Sequence, residues 1–326
     1  MSPILPKRRW LSWGATFALL LAVAGCAHTQ DTSPLRALPY EQLYAYDRDL
    51  PLNAEVTEQQ RANGYILYRV QYNSVHDKRV PAWWCLPTTG TPPYPCVLIM
   101  HGYGGDKKGL QVLAPAFAQR GISTLAIDAE YHGERKQPER DLLSPYPYRN
   151  RDALVQTVID LRRAIDFLQS RREIDAKRIG YIGLSMGGIL GGILAGVDER
   201  VQAPILIVAG GDWGYLFRHS QHPTAVQLRE KHADLFQNPQ KMNEVFGPVD
   251  PVNWVARIAP RPLLMINGNG DNIVPRECTE RLFAAAREPK EIVWLEGGHF
   301  PQPDLVLRKV DEWLSKHLAT RPASSP

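Results

Sequence analysis

Ser185 stands in the pentapeptide GLSMG at 183–187, with a glycine two positions away on each side. The apolar segment RIGYIGL precedes this serine and a glycine-rich segment follows it, which predicts a strand, a sharp turn and a helix. The backbone is strained at the centre of such a turn, and bulky side chains two positions away do not fit. The motif therefore predicts a serine whose hydroxyl stands clear of a sheet, beside a helix N-terminus where negative charge is favoured.

A serine hydroxyl is a weak nucleophile and needs a neighbouring base. Among nine histidines, His299 follows the apolar segment EIVWLE and two glycines, in the loop before the last predicted helix. Asp271 follows another apolar segment, LLMING, in the loop GNGDNIVP. A carboxylate beside an imidazole holds its tautomer and stabilises its charged form. The predicted catalytic residues are therefore Ser185 as nucleophile, His299 as base and Asp271 as the acid that orients it.

Other polar residues near the predicted strand ends are expected to be supporting groups. His101 is predicted to form a structural hydrogen bond in the loop after its strand, and His132 and Glu134 are predicted to shape the loop after the strand ISTLAID. His219 and His222 are placed on the surface or on the rim of the site, because no further residue completes a metal site with them. No spacing of cysteine and histidine typical of a metal site occurs, so no metal is predicted.

Apolar strands alternate with amphipathic helices along most of the chain. Strands are predicted within 65–75, 79–87, 95–102, 122–128, 178–184, 203–211, 261–271 and 291–298. The clearest helical pattern lies at 151–171, where apolar residues recur on one stripe. This alternation predicts an α/β fold with a mostly parallel sheet that helices cover on both faces.

The segment 212–254 is longer than a connection between two parallel strands needs. It is predicted to form a small helical cap inserted over the carboxyl edge of the sheet. The alternative is a longer surface helix with no role in binding. Trp213, Tyr215 and Phe217 are candidates for lining the substrate pocket, and packing of the cap onto the domain explains all three residues equally well.

Over about residues 60–318, these segments together resemble the α/β-hydrolase superfamily, in particular its dienelactone-hydrolase and acetyl-esterase branch. That branch has a strand ending in His-Gly, then the serine turn, then a G-x-x-D-x-x-V-P segment and a late Gly-His. The corresponding residues here are His101-Gly102, Ser185, 268–275 and Gly298-His299.

The resemblance carries further implications for the site. In the family, one oxyanion-hole N–H follows the nucleophile and another lies in the loop after His-Gly. The matching residues here are Met186 and Tyr103, and Tyr103 is also expected to contact the substrate. No cofactor is implied. Dienelactone hydrolases themselves have a cysteine at the turn, so the serine of this chain favours simple ester hydrolysis.

The N-terminus resembles a bacterial lipoprotein signal. Three basic residues at 7–9 precede a short apolar run, and Val-Ala-Gly-Cys at 23–26 resembles a lipobox. The predicted organisation is a signal peptide at 1–25, a lipidated Cys26, a tether at 26–45, an α/β-hydrolase domain at 46–320 and a disordered tail at 321–326. By resemblance to known sorting signals, the acyl chains would anchor the protein in the outer membrane facing the periplasm. The alternatives are a plain signal peptide and an uncleaved anchor.

Charge and cysteine content restrict the partners and the redox chemistry. The formal charge is +4; removal of the three basic residues of the leader lowers it to +1, and no basic stripe predicts a nucleic acid partner. Cys85 and Cys96 flank a turn-rich segment, and either a disulfide or two buried free thiols would fit an exported protein. Cys278 is predicted to lie in the core.

The predicted function is a serine hydrolase that cleaves small-molecule carboxylic esters through an acyl-enzyme, with small acyl groups such as acetyl. A peptidase related to prolyl oligopeptidases is the first alternative, although the stretch between Cys26 and Tyr65 is too short for the propeller those proteins carry. A non-catalytic binding lipoprotein on the same scaffold is the second. The oligomeric state is left open.

Overall fold

Nine strands and ten α-helices form most of residues 40–318, the part of the chain that the computed structural model describes. The strands are β1 Glu55–Ala62, β2 Tyr65–Asn73, β3 Arg79–Pro87, β4 Tyr94–Met100, β5 Ser123–Ile127, β6 Ile174–Leu184, β7 Val201–Ile207, β8 Leu263–Gly268 and β9 Lys290–Leu295. The helices are α1 Lys107–Gln111, α2 Ala114–Ala118, α3 Pro147–Gln169, α4 Met186–Val197, α5 Trp213–His219, α6 Pro223–Lys231, α7 Ala233–Gln237, α8 Pro239–Phe246, α9 Arg276–Ala285 and α10 Pro303–His317. The predicted signal peptide, the lipidation site Cys26 and the predicted tail at 321–326 lie outside the described residues.

The strands form one mixed sheet in the order β1-β2-β3-β5-β4-β6-β7-β8-β9. The six strands from β5 to β9 in this order are parallel. The first three strands pair antiparallel, and β3 joins β5 antiparallel. Each of the eight predicted strands is present, and the mostly parallel sheet confirms the predicted fold class.

The central strands are apolar at nearly every position because helices cover both faces of the sheet. In β4, Leu98 and Met100 pack into the core cluster that contains residues of α3 and α4. The alternate residues, Val97 and Ile99, pack into a second cluster with residues of α2 and α10. A parallel sheet buried in this way directs the carboxyl ends of β4, β6, β8 and β9 to one edge, where the loops after these strands meet.

The edge strand β1 is absent from the predicted strands. Its sequence, EVTEQQRA, is polar and largely exposed, and it pairs with β2 alone. An edge strand that buries neither face carries no hydrophobic alternation, so pattern analysis has nothing to detect.

The start of the domain also differs from the prediction, which assigned residues up to 45 to a tether. Tyr40–Tyr44 instead forms a short 3₁₀-helix whose last residue is buried in the domain. The Tyr44 ring packs edge-on against Trp254, and its hydroxyl donates a hydrogen bond of 2.8 Å to the Pro248 carbonyl. An aromatic side chain that finds both an apolar site and a hydrogen-bond acceptor is held to the domain.

The predicted helical insertion lies between β7 and β8, as the four helices α5 to α8. Stacked and tilted aromatic rings of Trp213, Phe217, Phe236 and Phe246 join three of these helices. Residues of α5 and α6 line the same cavity as Ser185. The insertion therefore covers the carboxyl edge of the sheet as predicted, and it consists of several short helices rather than the longer surface helix of the alternative.

The cysteines Cys85, Cys96 and Cys278 are free and buried. This decides between the two alternatives for Cys85 and Cys96, and it agrees with the core position predicted for Cys278. Burial raises the pKa of each of these thiols to about 12, so they stay protonated at neutral pH. Within residues 40–318, no helix is both long and apolar enough to cross a membrane.

Candidate active site

The turn between β6 and α4 places Ser185 at the edge of the sheet in a strained conformation. Its φ is +54° and its ψ is −115°, a backbone conformation that residues other than glycine rarely adopt. A Cβ atom on Gly183 would lie 2.2 Å from the carbonyl oxygen of Gly187, and one on Gly187 would lie 2.4 Å from the carbonyl oxygen of Met100. Both glycines of the motif are therefore required by close backbone approach.

His299 and Asp271 meet Ser185 at this edge, as the sequence predicts. His299 Nε2 lies 2.8 Å from Ser185 Oγ, and His299 Nδ1 lies 2.7 Å from Asp271 Oδ2. The side chain of His299 is 9% exposed and that of Asp271 is 3% exposed. The chain therefore joins three residues that are far apart in sequence into one continuous hydrogen-bonded line.

The hydrogen bonds of Asp271 determine which tautomer of His299 is present. Asp271 Oδ1 accepts from the backbone N–H groups of Ile273 at 2.8 Å and Val274 at 2.9 Å. The other oxygen, Oδ2, can only accept from His299 Nδ1, so Nδ1 carries a proton. In a neutral imidazole, Nε2 is then an acceptor aimed at the Ser185 hydroxyl, which is the arrangement a general base needs.

Tyr103 and Met186 line the cavity that contains Ser185, and their backbone N–H groups have no protein partner among the described residues. Met186 is the first residue of α4, so its N–H has no intrahelical acceptor. The loop after β4 passes next to the nucleophile, because a Cβ on Gly102 would lie 3.4 Å from Ser185 Cβ. None of the backbone or side-chain hydrogen bonds of residues 40–318 uses the N–H of Tyr103 or of Met186. Both groups are available to a negatively charged oxygen.

Two histidines hold this loop in place. His101 Nδ1 donates to the Gly102 carbonyl at 2.8 Å, and His101 Nε2 accepts from the Ala129 N–H at 3.1 Å. The Gly104 N–H donates to His132 Nε2 at 3.2 Å. Burial lowers the pKa of His101 to about 4, so it remains neutral and can accept the Ala129 proton. These contacts agree with the supporting roles predicted for both histidines.

A buried ion pair anchors the far end of the same loop. Lys107 Nζ lies 2.6 Å from Asp128 Oδ2 and 2.7 Å from Glu134 Oε1, and the Lys107 N–H donates to Asp128 Oδ1 at 2.9 Å. Both Lys107 and Asp128 are almost fully buried. Both carboxylates are bound to the Lys107 ammonium and neither lines the cavity beside Ser185, so Asp128 and Glu134 are structural groups.

A small cavity opens on Ser185 under the cap. Its volume is about 50 Å³, and most of its lining is apolar. Trp213 lines the cavity, as one of the two alternatives for this residue predicts, and its indole N–H donates to the Val249 carbonyl at 2.7 Å. Phe217, another of the candidates, lines it as well. The lining residues that the sequence analysis did not assign are Leu142, Leu143, Ile189, Leu216, Ser220, Ala225, Ile273 and Val274.

The prediction that Tyr215 lines the pocket is wrong. Its ring stacks on His219 at 4.1 Å and lies under the Arg281 guanidinium at 4.4 Å, and it is not among the cavity residues. The reason is the helical period: Leu216 and Phe217 follow Trp213 by three and four positions and share its face, whereas a residue two positions on points away. The same period would have identified Leu216.

His222 lies on the rim of the site, one of the two positions predicted for it. It lines the cavity together with Ser185, whereas His219 is exposed, as expected of a surface residue. In the described part of the chain, no group of three or more His, Cys, Asp or Glu side chains is arranged to hold a metal ion.

The arrangement can perform acyl transfer. A serine activated by a neutral histidine can attack a carbonyl carbon, and two unused N–H groups can stabilise the oxyanion that forms. The imidazole can then return the proton to the departing group. These are the elements of a serine hydrolase, assembled here at the carboxyl edge of a parallel sheet.

Comparison with known proteins places this site in a family. The model of the acetyl xylan esterase (AXE1) family matches residues 41–317. The putative hydrolase YtaP of Bacillus subtilis (strain 168) is 24% identical over 310 residues, which cover 86% of this chain and 100% of YtaP.

Solved structures share the fold. The acetyl xylan esterase of Paenibacillus sp. R4 superimposes with a TM-score of 0.69 at 24% identity, covering 84% of this chain and 92% of that one. Acetyl xylan esterase 1 of Thermoanaerobacterium sp. JW/SL YS485 gives 0.72 at 18% identity, covering 85% and 92%. With the family match over most of its length, this chain belongs to the acetyl xylan esterase (AXE1) family and is a serine-dependent carboxylic ester hydrolase of the α/β-hydrolase fold.

Proposed function

We propose that the enzyme removes short acyl groups, acetyl foremost, from esters of small polyhydroxylated molecules. The observation that carries the acyl part is the cavity of about 50 Å³ beside Ser185. The side chains of Ile189, Leu216 and Phe217 line it, so it accepts a methyl group readily and a long acyl chain only by displacing packed side chains.

Catalysis follows from the contacts of the three residues. His299 Nε2 takes the proton of Ser185 Oγ, and Oγ attacks the acyl carbon. The carbonyl oxygen becomes an oxyanion, which accepts hydrogen bonds from the N–H groups of Tyr103 and Met186. His299 then protonates the leaving alcohol, and the acyl group stays on Ser185. A water molecule, deprotonated by His299, releases the acid and restores the serine.

Asp271 has a supporting part in both half-reactions. Its bond to Nδ1 keeps the imidazole in the productive tautomer and stabilises the positive charge that the ring acquires. The two backbone donors on its other oxygen keep the carboxylate from rotating.

The alcohol part of the substrate is proposed from the family. Solved relatives are named as acetyl xylan esterases, and an acetylated sugar or oligosaccharide is the substrate class that this name suggests. The peptidase and binding-protein alternatives have no observation of their own in this structure.

The test uses protein lacking residues 1–26, as wild type and as Ser185→Ala. Both are assayed against p-nitrophenyl esters from acetyl to octanoyl and against acetylated xylose. We expect hydrolysis by the wild type only, with kcat/KM greatest for acetyl and falling steeply beyond butyryl.

Two results would contradict the proposal. A rate that rises toward octanoyl would refute the assignment of a small acyl pocket. A folded wild type inactive on all of these esters would favour the alternatives, and labelling by a fluorophosphonate would then distinguish a peptidase from a binding protein.

We also propose that Cys26 is lipidated after export and that the enzyme is anchored in the cell envelope, at the outer membrane facing the periplasm. Support comes from the signal-like N-terminal sequence. Full-length protein expressed in a diderm bacterium should incorporate labelled palmitate and fractionate with the outer membrane. The Cys26→Ala variant should do neither, and label retained by that variant would refute lipidation at this residue.

A further inference from the structure

His222 is a polar group in a cavity that is otherwise largely apolar. It immediately precedes α6, and its ring lies edge-on to the Tyr103 ring, with centroids 5.2 Å apart and planes at 82°. The contact brings a side chain of the cap to Tyr103, which lines the cavity together with Ser185.

The backbone of the cap determines the tautomer of this histidine. The Thr224 N–H donates to His222 Nδ1 at 3.2 Å, so this nitrogen is an acceptor and caps the start of the helix. When the ring is neutral, its proton is therefore on Nε2. Burial, followed by repulsion from a positive charge on His299, lowers the pKa of His222, while Asp141 acts in the opposite direction. The ring is accordingly neutral at pH 7.

The proton on Nε2 has no acceptor among the described residues. Nε2 itself is not buried, so a ligand can reach it. A donor held in a fixed direction at the mouth of a site is suited to fixing the orientation of a ligand.

The position of His222 indicates which part of the ligand it meets. An acetyl group has one polar atom, its carbonyl oxygen, and the N–H groups of Tyr103 and Met186 are available for that atom. The leaving oxygen must lie at His299 Nε2, which is 2.8 Å from Ser185 Oγ, and His222 lines the same cavity as Ser185. The remaining acceptors of a substrate at this point belong to its alcohol part.

We propose that His222 is a specificity-determining residue, which donates a hydrogen bond from Nε2 to a hydroxyl or ether oxygen on the alcohol part of the substrate. It would favour acetyl esters of polyhydroxylated alcohols over simple aryl acetates. This inference rests on the proposed function, because it assumes an acyl group bound beside Ser185.

Two substitutions distinguish the role of His222 Nδ1 as a helix cap from the proposed contact of Nε2 with the substrate. In His222→Asn, the amide oxygen can replace Nδ1 as acceptor of the Thr224 N–H, but nothing replaces Nε2. In His222→Gln, the longer side chain places an amide N–H near the position of Nε2. His219→Asn is the matched control, because His219 is an exposed histidine of the same cap that stacks on Tyr215.

The quantity to measure is the ratio of kcat/KM for acetylated xylose to kcat/KM for p-nitrophenyl acetate. We expect this ratio to fall about tenfold in His222→Asn, the factor that one neutral hydrogen bond of ordinary strength provides. His222→Gln should recover part of the loss, and His219→Asn should match the wild type.

The outcomes distinguish this inference from the proposed function. A ratio unchanged within twofold in His222→Asn, or one lowered equally by His219→Asn, would overturn the role of His222 while leaving the esterase intact. A wild type that hydrolyses p-nitrophenyl acetate but not acetylated xylose would overturn the preference for polyhydroxylated alcohols. Inactivity of the wild type on both substrates would refute the proposed function itself.

Discussion

The Asp271→Asn substitution replaces one carboxylate oxygen by an amide nitrogen and tests whether Asp271 sets the tautomer of His299. Asp271 Oδ1 accepts from the N–H groups of Ile273 and Val274, and an amide nitrogen cannot take that place because it would face two donors. The asparagine must therefore place its oxygen there and its NH₂ group opposite His299 Nδ1. The orientation of the new side chain is thus dictated by the backbone.

The consequence for His299 is a change of tautomer. Nδ1, 2.7 Å from the position of Asp271 Oδ2, must now accept a hydrogen bond, so the ring proton moves to Nε2. Nε2 then donates to Ser185 Oγ, 2.8 Å away, and cannot take its proton. The equivalent change in a serine protease lowers kcat about 10⁴-fold, which corresponds to about 5.5 kcal/mol in the activation free energy. We expect a loss of about 10³- to 10⁴-fold here.

The assay is kcat/KM on p-nitrophenyl acetate at pH 7.5 for the wild type, Asp271→Asn and Ser185→Ala. Circular dichroism and thermal unfolding verify that both variants are folded. The asparagine retains both backbone bonds, so its melting temperature should remain close to that of the wild type. A folded Asp271→Asn enzyme that loses less than about tenfold would refute the assignment of Asp271 as the group that sets the tautomer of His299.

Two further predictions concern the support of the site. Gly183→Ala should lower kcat/KM by about 100-fold or more and reduce the melting temperature, because the new Cβ would lie 2.2 Å from the Gly187 carbonyl oxygen and the turn must shift by roughly 1 Å. Gly214→Ala is the control, because its Cβ would meet only the tips of side chains, at 3.3 Å. Equal effects of the two substitutions on kcat/KM would contradict the argument. Burial lowers the pKa of His101 from its ordinary 6.5 to about 4, so the unfolded chain binds an additional proton between these values and the stability decreases as the pH falls through that window. Urea titrations at pH 7 and pH 4 should show the free energy of unfolding falling by about 3 kcal/mol more for the wild type than for His101→Gln, and parallel losses would exclude His101 as a source of the difference.

Local sequence was sufficient to identify the nucleophile. The glycines around Ser185 are required by contacts within a few residues and with the adjacent strand. The motif can therefore be recognised from the local sequence alone. The same holds for the parallel sheet: strands buried on both faces must be apolar throughout, and each of the eight runs predicted as strands forms one. Asp271 and His299 could be predicted because both follow such runs, and the carboxyl ends of parallel strands meet at one edge.

Contacts between distant segments determined the rest, and pattern analysis does not report them. The polar edge strand β1 forms because β2 offers it a row of unpaired backbone groups, whatever its side chains are. Tyr44 joins the domain through Trp254, about two hundred residues away. The contact of His222 with the cavity depends on how the cap packs over the sheet. Hydrophobic periodicity identifies elements and their buried faces, whereas the partner that each face meets is determined by packing in three dimensions.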